Sequence, residues 1–336
     1  MPLLEPSSYR APLWLPGGHA QTIFPSLFRK MPDLPFTRIR IGTPDDDVIL
    51  ADVLRAGERQ GREAVILSHG LEGDSRRKYI RGMCRAFAAR GWDCLARNFR
   101  GCGGEMNRTP GLYHSGMTED LHTVVSHCLR EGYERIMLVG FSMGGNQVLK
   151  YLGEDPDRVP EEIAAAAVFS VTCNLPGAAR KLDRPENAVY MRYFLRTLRR
   201  KVRLKHALYP DLYPLDGLDR MRTFAEFDNQ YTAPVHGFSS AADYWEKAAS
   251  LPHLHRIRVP ALLVNARNDP FLSPGCYPVE IARNNPCLFL ETPVEGGHVG
   301  FTSPLGREAY WSETRAVNFF SEVLGTYPIQ YRVQGR

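Results

Sequence analysis

Mostly apolar runs alternate along this chain with segments in which apolar residues recur at helical spacing. The runs are short and several lack polar alternation, so we predict buried β-strands at Ala64–Ser68, Asp93–Phe99, Ile136–Gly140, Ile163–Val171, Val259–Asn265 and Cys287–Glu291. Helical spacing is found in 76–90, from a capping Thr118 onwards, in Gln147–Leu152 and in 306–324. Unalternating strands that are each followed by a helix predict an α/β fold, with a mostly parallel central sheet flanked by helices.

Three segments depart from this alternation. Residues 37–55 hold two alternating runs around a turn and predict a β-hairpin. Residues 1–36 are rich in Pro, Gly and aromatic residues without a clean period, which indicates an irregular arm on the main fold. Residues 174–255 are helical, basic and aromatic, without a convincing strand. We therefore predict one domain, with core residues 37–173 and 256–336 and a helical cap inserted at 174–255.

The composition is that of an ordinary globular protein. The 336 residues are 43% hydrophobic, include 29 glycines and 25 prolines, and carry a formal net charge of +5. Glycine and proline are too few for a collagen-like or low-complexity chain, and the charge is too mild for a dedicated nucleic-acid protein. Seven cysteines without a C-x-x-C spacing predict reduced, mostly buried thiols and no zinc site. The N-terminus lacks a secretory signal pattern, so we expect a soluble, cytoplasmic protein.

One short motif points to nucleophilic catalysis. Gly140-Phe141-Ser142-Met143-Gly144 matches G-x-S-x-G, follows an apolar strand and opens a helix. This is the setting of a nucleophile elbow, in which a sharp turn presents the serine hydroxyl at the end of the sheet. The helix behind the turn places the Met143 N–H near a developing oxyanion. We therefore predict that Ser142 is the nucleophile, the alternative being an idle serine in a glycine-rich turn.

A serine hydroxyl needs a base, and the base needs an orienting group. Among ten histidines, His298 lies in a glycine-rich loop after the last strand and before the C-terminal helix. In this chain order the orienting carboxylate falls between serine and histidine at a strand end, where Asp269 stands. We predict His298 as the base and Asp269 as its partner. The alternatives are a structural loop histidine and a turn-forming aspartate before Pro270.

The second oxyanion donor is expected in the loop after the first parallel strand. Ser68-His69-Gly70-Leu71-Glu72-Gly73 fits this place, with the Leu71 N–H as donor and Gly70 allowing close approach to the substrate oxygen. We expect the His69 side chain to brace the loop. Gly70, Phe141 and Phe271 are the candidate substrate-binding residues.

Three further motifs have plainer explanations. Arg100-Gly101-Cys102-Gly103-Gly104 lacks a complete phosphate-loop pattern, and we interpret it as a loop near the mouth of the site. Asp45-Asp46-Asp47 lacks the glycine and glutamate of a calcium loop and predicts a solvated hairpin turn. His114 and Ser115 precede a helix start, where capping is expected.

The triad order, together with His69-Gly70 before the first helix, resembles the α/β-hydrolase superfamily. The finer resemblance, nearly end to end, is to the YheT-like group (AB-hydrolase family 4). The matching pieces are Pro16-Gly17-Gly18-His19-Ala20-Gln21-Thr22, Ser68-His69-Gly70-Leu71-Glu72-Gly73, Asn98-Phe99-Arg100-Gly101, Gly140-Phe141-Ser142-Met143-Gly144-Gly145-Asn146 and, in the cap, Phe227-Asp228, Thr232-Ala233-Pro234 and Gly237-Phe238. The resemblance implies a serine hydrolase, since bacterial members are assigned as carboxylesterases and eukaryotic relatives as lipid esterases.

We therefore predict a serine hydrolase that needs no metal or cofactor and cleaves carboxylic esters of short to medium acyl chains through an acyl-enzyme. A thioesterase and a lipid esterase of the monoacylglycerol or phospholipid type are alternatives from the same chemistry. A catalytically silent binding protein on this scaffold is the alternative from another class. The expected partner is a small acyl ester and no nucleic acid, and the oligomeric state stays open.

The cap holds one conspicuously basic helix. In 190–205, apolar residues recur at helical spacing, and the arginines off that stripe are Arg192, Arg196, Arg199, Arg200 and Arg203. The plain interpretation is a cap helix with solvated arginines. The alternative is weak contact of this basic face with an anionic membrane surface or a negatively charged substrate group.

Overall fold

A computed structural model describes residues 3–57, 62–303 and 309–325 of the chain. Eight strands form one sheet: β1 Thr37–Gly42, β2 Val48–Leu54, β3 Glu63–Ser68, β4 Asp93–Arg97, β5 Arg135–Phe141, β6 Ile163–Phe169, β7 Ala261–Val264 and β8 Leu288–Glu291. The strand order is β1-β2-β4-β3-β5-β6-β7-β8. Only the β1–β2 and β2–β4 pairs are antiparallel. The predicted edge hairpin and mostly parallel sheet are confirmed.

Helices connect and cover these strands. They are α1 Gly18–Phe28, α2 Lys78–Ala88, α3 Thr118–Arg130, α4 Met143–Glu154, α5 Leu175–Leu182, α6 Ala188–His206, α7 Phe224–Phe227, α8 Ala233–Val235, α9 Ala241–Ala248, α10 Val279–Asn284 and α11 Trp311–Val323. Short 3₁₀ turns occur at Pro156–Arg158, Pro185–Asn187, Leu218–Arg220, Leu251–Arg256 and Pro274–Cys276, and a π-helical turn at Asp228–Thr232.

Both faces of the sheet are buried, which explains why the strands lack polar alternation. Successive residues of a strand point to opposite faces. In β3, Ala64 and Ile66 pack in a core layer that includes residues of α3 and α4. Val65 and Leu67 pack in the opposite layer with residues of α2 and α11. Each strand position therefore needs an apolar residue, whichever way it points.

The segment between β6 and β7 carries helices α5 to α9 and no strand. Met191, Leu195, Leu198 and Val202 form the buried stripe of α6. This stripe shares a hydrophobic cluster with Leu112 and Phe271 of the main body, among others. The apolar face of α6 is therefore used for packing, and we propose that the segment serves as a cap over the sheet.

The N-terminal arm is more regular than its sequence indicates. Residues Gly18–Phe28 form helix α1, with Pro25 inside it and Gln21 and Pro25 as its buried residues. The prediction of an irregular arm is therefore wrong for this stretch. The helix was hidden because its inward positions are not apolar, so no amphipathic period toward a core exists.

Two predictions for polar residues are also wrong. Asp47 is buried in the hairpin turn, where its carboxylate accepts hydrogen bonds from Asn107, Thr109 and the Arg108 N–H. Burial alone would raise its pKa, but these hydrogen bonds hold the pKa well below its usual value. Thr118 does not cap α3, because its hydroxyl binds Glu154 instead.

Other features lie close to expectation. Helix α11 occupies most of the predicted 306–324, of which 306–308 lie outside the described residues. Cys287 is half-buried and the other six cysteines are buried, all as free thiols. In the described part of the chain, no helix is long and apolar enough to cross a bilayer.

Candidate active site

Ser142 stands at the turn between β5 and α4. Its backbone is strained, with φ 53° and ψ −120°, an arrangement that side-chain-bearing residues rarely adopt. The flanking glycines are required sterically. A Cβ on Gly140 would lie 2.6 Å from the Gly144 carbonyl oxygen, and one on Gly144 would lie 2.4 Å from the His69 carbonyl oxygen. The sequence motif thus folds into the sharp turn that it predicts.

A continuous hydrogen-bond chain joins the three residues that were predicted as a triad. His298 Nε2 lies 2.9 Å from Ser142 Oγ. His298 Nδ1 lies 2.8 Å and 3.1 Å from the two carboxylate oxygens of Asp269. Asp269 Oδ1 also accepts the Phe271 N–H at 2.9 Å, which fixes the carboxylate. An Nδ1–H that donates to Asp269 leaves Nε2 free to accept the serine proton.

The loop that carries His298 is held by residues that the sequence analysis missed. Its consecutive N–H groups at Gly296, Gly297 and His298 donate to Gln21 Oε1, Asn268 Oδ1 and Thr22 Oγ1, at 2.8, 2.9 and 2.8 Å. Two of these acceptors belong to α1, more than 270 positions away in sequence. The only sequence signal for them is the Pro16–Thr22 motif of the family resemblance. The arm therefore helps to place the candidate base.

The loop after β3 lies directly against the nucleophile. A Cβ on Gly70 would lie 3.2 Å from Ser142 Cβ, so only glycine permits this approach without a shift. Neither Leu71 nor Met143 has an intramolecular hydrogen bond on its backbone N–H in the described structure. Both N–H groups are therefore free to bind an anionic oxygen beside Ser142.

His69 braces this loop, as predicted. Its Nδ1 donates to the Gly70 carbonyl at 2.8 Å, and its Nε2 accepts the Phe99 N–H at 3.2 Å. Burial lowers the pKa of His69 to about 3, so the imidazole stays neutral. Both ring nitrogens are used in structural hydrogen bonds, which leaves His69 no part in proton transfer.

An apolar cavity of about 110 Å³ extends from Ser142 between the main body and α5 to α9. Apolar and aromatic side chains dominate its walls, including Leu71, Leu112, Leu175, Leu182, Phe194, Leu198, Phe224, Phe227 and Phe271. Phe271 also packs on His298, with ring centroids 4.1 Å apart. Phe141 does not reach the cavity, because its ring packs between Tyr79 and Phe169 in the core. Gly70 acts on the site through backbone approach alone.

A few polar side chains interrupt the apolar wall. Asp228 accepts hydrogen bonds from Thr232 and from the Trp245 indole at 2.6 and 2.8 Å, and burial raises its pKa to about 6. His114 also lines the cavity, and burial lowers its pKa well below the usual value. His114 Nδ1 accepts the Gly116 N–H, while Ser115 binds Tyr244 of α9. Capping of α3 is therefore not their role.

Two further sequence expectations concern metal binding and the loop at 100–104. In the described ranges no group of three or more His, Cys, Asp or Glu side chains is arranged to hold a metal ion. The loop at 100–104 does not itself line the cavity, but its Cys102 shares a hydrophobic cluster with Met143 and Leu71, which do. Its Arg100 forms ion pairs with Asp120 and Asp45 near the edge hairpin.

Comparison with known proteins agrees with this geometry. The pattern that describes the α/β hydrolase fold matches residues 63–303. The chain is 32% identical over 311 residues to the candidate esterase YheT of Escherichia coli, covering 91% of both chains. It is 30% identical to human phospholipase ABHD3 over 88% of this chain and 73% of that protein. It is 28% identical to yeast monoacylglycerol lipase over 80% of this chain and 60% of that protein.

A solved structure with the same fold is an esterase of Pyrococcus furiosus. It superposes with a TM-score of 0.60 at 18% identity, over 88% of this chain and 96% of that one. At 18% identity this match supports the same fold and no conclusion about activity. The sequence matches, together with the sheet order, give the assignment: the chain belongs to the α/β-hydrolase fold family, within its esterase and lipase type, alongside YheT.

Proposed function

We propose that this protein is a serine hydrolase that cleaves carboxylic esters, with Ser142 as nucleophile, His298 as base and Asp269 as its orienting partner. The observation that carries the proposal is the unbroken chain from Asp269 through His298 to Ser142. Leu71 and Met143 line the same cavity as Ser142, and neither backbone N–H is bonded to a described residue. Nucleophile, base and oxyanion donors are the parts that acyl transfer requires.

The reaction follows from these positions. Ser142 Oγ attacks the acyl carbonyl while His298 Nε2 takes the hydroxyl proton, and the Leu71 and Met143 N–H groups bind the oxyanion. His298 then gives the proton to the leaving alcohol as the ester bond breaks, which leaves an acyl-serine. A water molecule that gives one proton to His298 attacks the acyl-serine, and His298 returns that proton to Ser142 Oγ as the acyl–oxygen bond breaks and the acid is released. Asp269 stabilises the imidazolium that forms in each half-reaction.

The apolar cavity supports an acyl chain as the bound part of the substrate. A wall of aliphatic and aromatic side chains gains free energy by removing hydrocarbon from water, roughly 25 cal/mol for each Å² buried. The names of two relatives, a phospholipase and a monoacylglycerol lipase, point to lipid esters. A thioester presents the same carbonyl to Ser142, so thioesterase activity is the second candidate.

The nucleophile is tested with Ser142→Ala. This variant should fold normally and lose nearly all hydrolysis across a panel of p-nitrophenyl esters of increasing chain length. A fluorophosphonate should label the wild type at Ser142 alone, because among the described residues only this serine hydroxyl lies within hydrogen-bond distance of a histidine ring nitrogen. Ser115→Ala is the matched control, since Ser115 lines the same cavity. Labelling at another serine, or no turnover of any ester by the wild type, contradicts the proposal and favours a silent binding protein.

The orienting role is tested with Asp269→Asn. The amide keeps the shape but favours the wrong imidazole tautomer, and in the best-studied triad this change lowers kcat by about 10⁴. We expect a fall in kcat of several orders of magnitude with KM nearly unchanged. A loss below about tenfold would assign the orienting role to another group.

A further inference from the structure

Helix α1 turns polar residues toward the protein interior and apolar residues toward solvent. A surface helix ordinarily turns its apolar face to the core and its polar face to water. In α1 the buried residues are Gln21 and Pro25, while Ile23, Leu27 and Phe28 are 39%, 62% and 63% exposed. The inward polar residues are explained by the His298 loop that they hold. The outward apolar residues Leu27 and Phe28 stay more than half exposed when the described part of the chain is folded.

The exposed apolar surface continues beyond the helix. Leu13 and Trp14, just before α1, are 100% and 54% exposed. Their neighbour in space is the aromatic row of α1, since the Trp14 ring lies 4.9 Å from Phe24 and Phe24 lies 5.0 Å from Phe28. We call the set Leu13, Trp14, Ile23, Phe24, Leu27 and Phe28 the arm face. The aromatic members of the arm face pack on one another, but the rest of the described chain leaves most of the set exposed to solvent.

The arm face borders the N-terminal half of α6. His19 Nδ1 lies 3.1 Å from the Tyr190 hydroxyl. At the other end of α1, Lys78 Nζ donates to the Leu27 carbonyl, and the adjacent Arg77 donates to the Tyr193 hydroxyl, both at 2.8 Å. Direct contacts therefore join the apolar arm to the N-terminal half of the basic cap helix.

The charge of this surface is entirely positive over its two main segments. No Asp or Glu occurs between Glu5 and Asp33, and none occurs in α6. Arg199 donates to backbone carbonyls and Arg203 pairs with Asp219, so neither is free. The exposed arginines of α6 with no ion pair or hydrogen bond to a described residue are Arg192, Arg196 and Arg200.

We propose that the arm face and these arginines together dock the protein on an anionic lipid surface. Aromatic and aliphatic side chains beside arginines are the pattern of a helix that lies in a membrane interface. Each exposed arginine near an anionic surface adds attraction that salt screens. A second copy of the chain is a less suitable partner for the arm face than a lipid surface. A twofold contact over the whole surface would bring two sets of unpaired arginines into one interface, and α6 offers no acidic residue to neutralise them.

Helix α1 also contacts the loop that carries His298. Thr22 on the inner side of α1 accepts the His298 N–H. The Tyr190 ring packs on Phe271, which in turn packs on His298. Docking at the arm face would therefore place the candidate active site next to the lipid phase, where an ester of low water solubility is concentrated.

The test measures binding apart from hydrolysis. Ser142→Ala protein is mixed with vesicles of phosphatidylcholine alone or of phosphatidylcholine and phosphatidylglycerol in equal parts, and bound protein is sedimented. We expect binding to the mixed vesicles that weakens as salt rises. Adding Trp14→Gln, Leu27→Gln and Phe28→Gln should weaken it at least about tenfold, because apolar insertion is lost. Arg192→Gln, Arg196→Gln and Arg200→Gln should remove the preference for phosphatidylglycerol.

The control changes equally exposed apolar residues at the other end of the cap, namely Leu208→Gln, Leu212→Gln and Leu215→Gln. This control should bind vesicles like its parent. In the active background, the arm variant should hydrolyse a water-soluble ester at the parental rate, which reports its folding. As an independent readout, brominated phosphatidylcholine in mixed vesicles should quench tryptophan fluorescence, and Trp14→Phe should abolish most of that quenching.

Three results would overturn the proposal: no binding to mixed vesicles even at low salt, equal binding by the arm and control variants, or a dimer in solution that the arm substitutions dissociate. The last would show that a second copy covers the arm face. Because binding is measured with Ser142→Ala, these outcomes do not depend on the proposed hydrolysis.

Discussion

The hydroxyl of Thr22 accepts the His298 N–H at 2.8 Å and donates its own proton to the Gly18 carbonyl. Thr22→Val keeps the shape of the side chain and removes both hydrogen bonds. The His298 N–H then faces a methyl group in a part-buried place. Leaving such a donor unsatisfied costs about 1–3 kcal/mol of unfolding free energy.

The effect on catalysis should exceed the effect on stability. His298 Nε2 lies 2.9 Å from Ser142 Oγ, and a hydrogen bond of this kind is lost beyond about 3.2 Å. A loop that relaxes by even part of an ångström therefore disengages the base, and a misplacement of about 1 Å lowers the rate by about 100-fold. We expect kcat to fall between about 10-fold and 100-fold with KM nearly unchanged, since Thr22 does not line the cavity.

The assay is steady-state hydrolysis of a soluble ester, paired with urea unfolding of each variant. Thr22→Ser restores the hydroxyl and should restore most of kcat. Thr118→Val is the control for stability, because it removes a buried hydroxyl that bonds Glu154, and neither residue lines the cavity. If Thr118→Val lowers kcat as much as Thr22→Val, or if Thr22→Ser fails to rescue it, positioning by α1 is refuted.

Two further predictions concern pH and packing. Because burial raises the pKa of Asp228 to about 6, the folded state holds that proton more tightly than the unfolded chain. Stability should then decrease as pH rises from about 4 to about 6 and level off above, by on the order of 2–3 kcal/mol, and urea unfolding of Asp228→Asn should lack this decrease. An unchanged pH slope in the variant would contradict the assignment. Gly144→Ala forces a Cβ against the His69 carbonyl and should lower both activity and stability, by about 1–3 kcal/mol in unfolding. Gly42→Ala, whose Cβ meets nothing within 4 Å, should change neither, and equal effects of the two would refute the steric argument.

Local signals explain why so much of the sheet could be predicted from the sequence. Val65 and Leu67 face one core layer, while Ala64 and Ile66 face the other. One short apolar run is therefore enough to predict that both faces of the strand are buried. The elbow motif at Ser142 is equally local in sequence. Gly140 is required by contacts within the turn, whereas Gly144 is required by the distant His69 carbonyl. Chain order and the end of a strand together singled out Asp269 among the carboxylates between Ser142 and His298, and the fold brings Asp269 within hydrogen-bond distance of His298.

What the sequence could not show depends on contacts between distant residues. Thr22 and Gln21 look like ordinary polar residues until the fold brings the loop at 296–298 against them. Asp47 looks like a solvated turn residue until the loop around Asn107 closes over it. Phe141 adjoins the nucleophile in sequence, but strand alternation turns its ring into the core.

The contact between α1 and the His298 loop joins positions 276 apart, close to the two ends of the described chain. During synthesis, Ser142 and its elbow emerge long before the loop that must reach back to Thr22. Contacts of this separation close late, because the chain between them must be ordered first. The growing chain would therefore carry an assembled elbow before the proposed base is placed, and the proposed hydrolysis would begin only after the loop at 296–298 has left the ribosome.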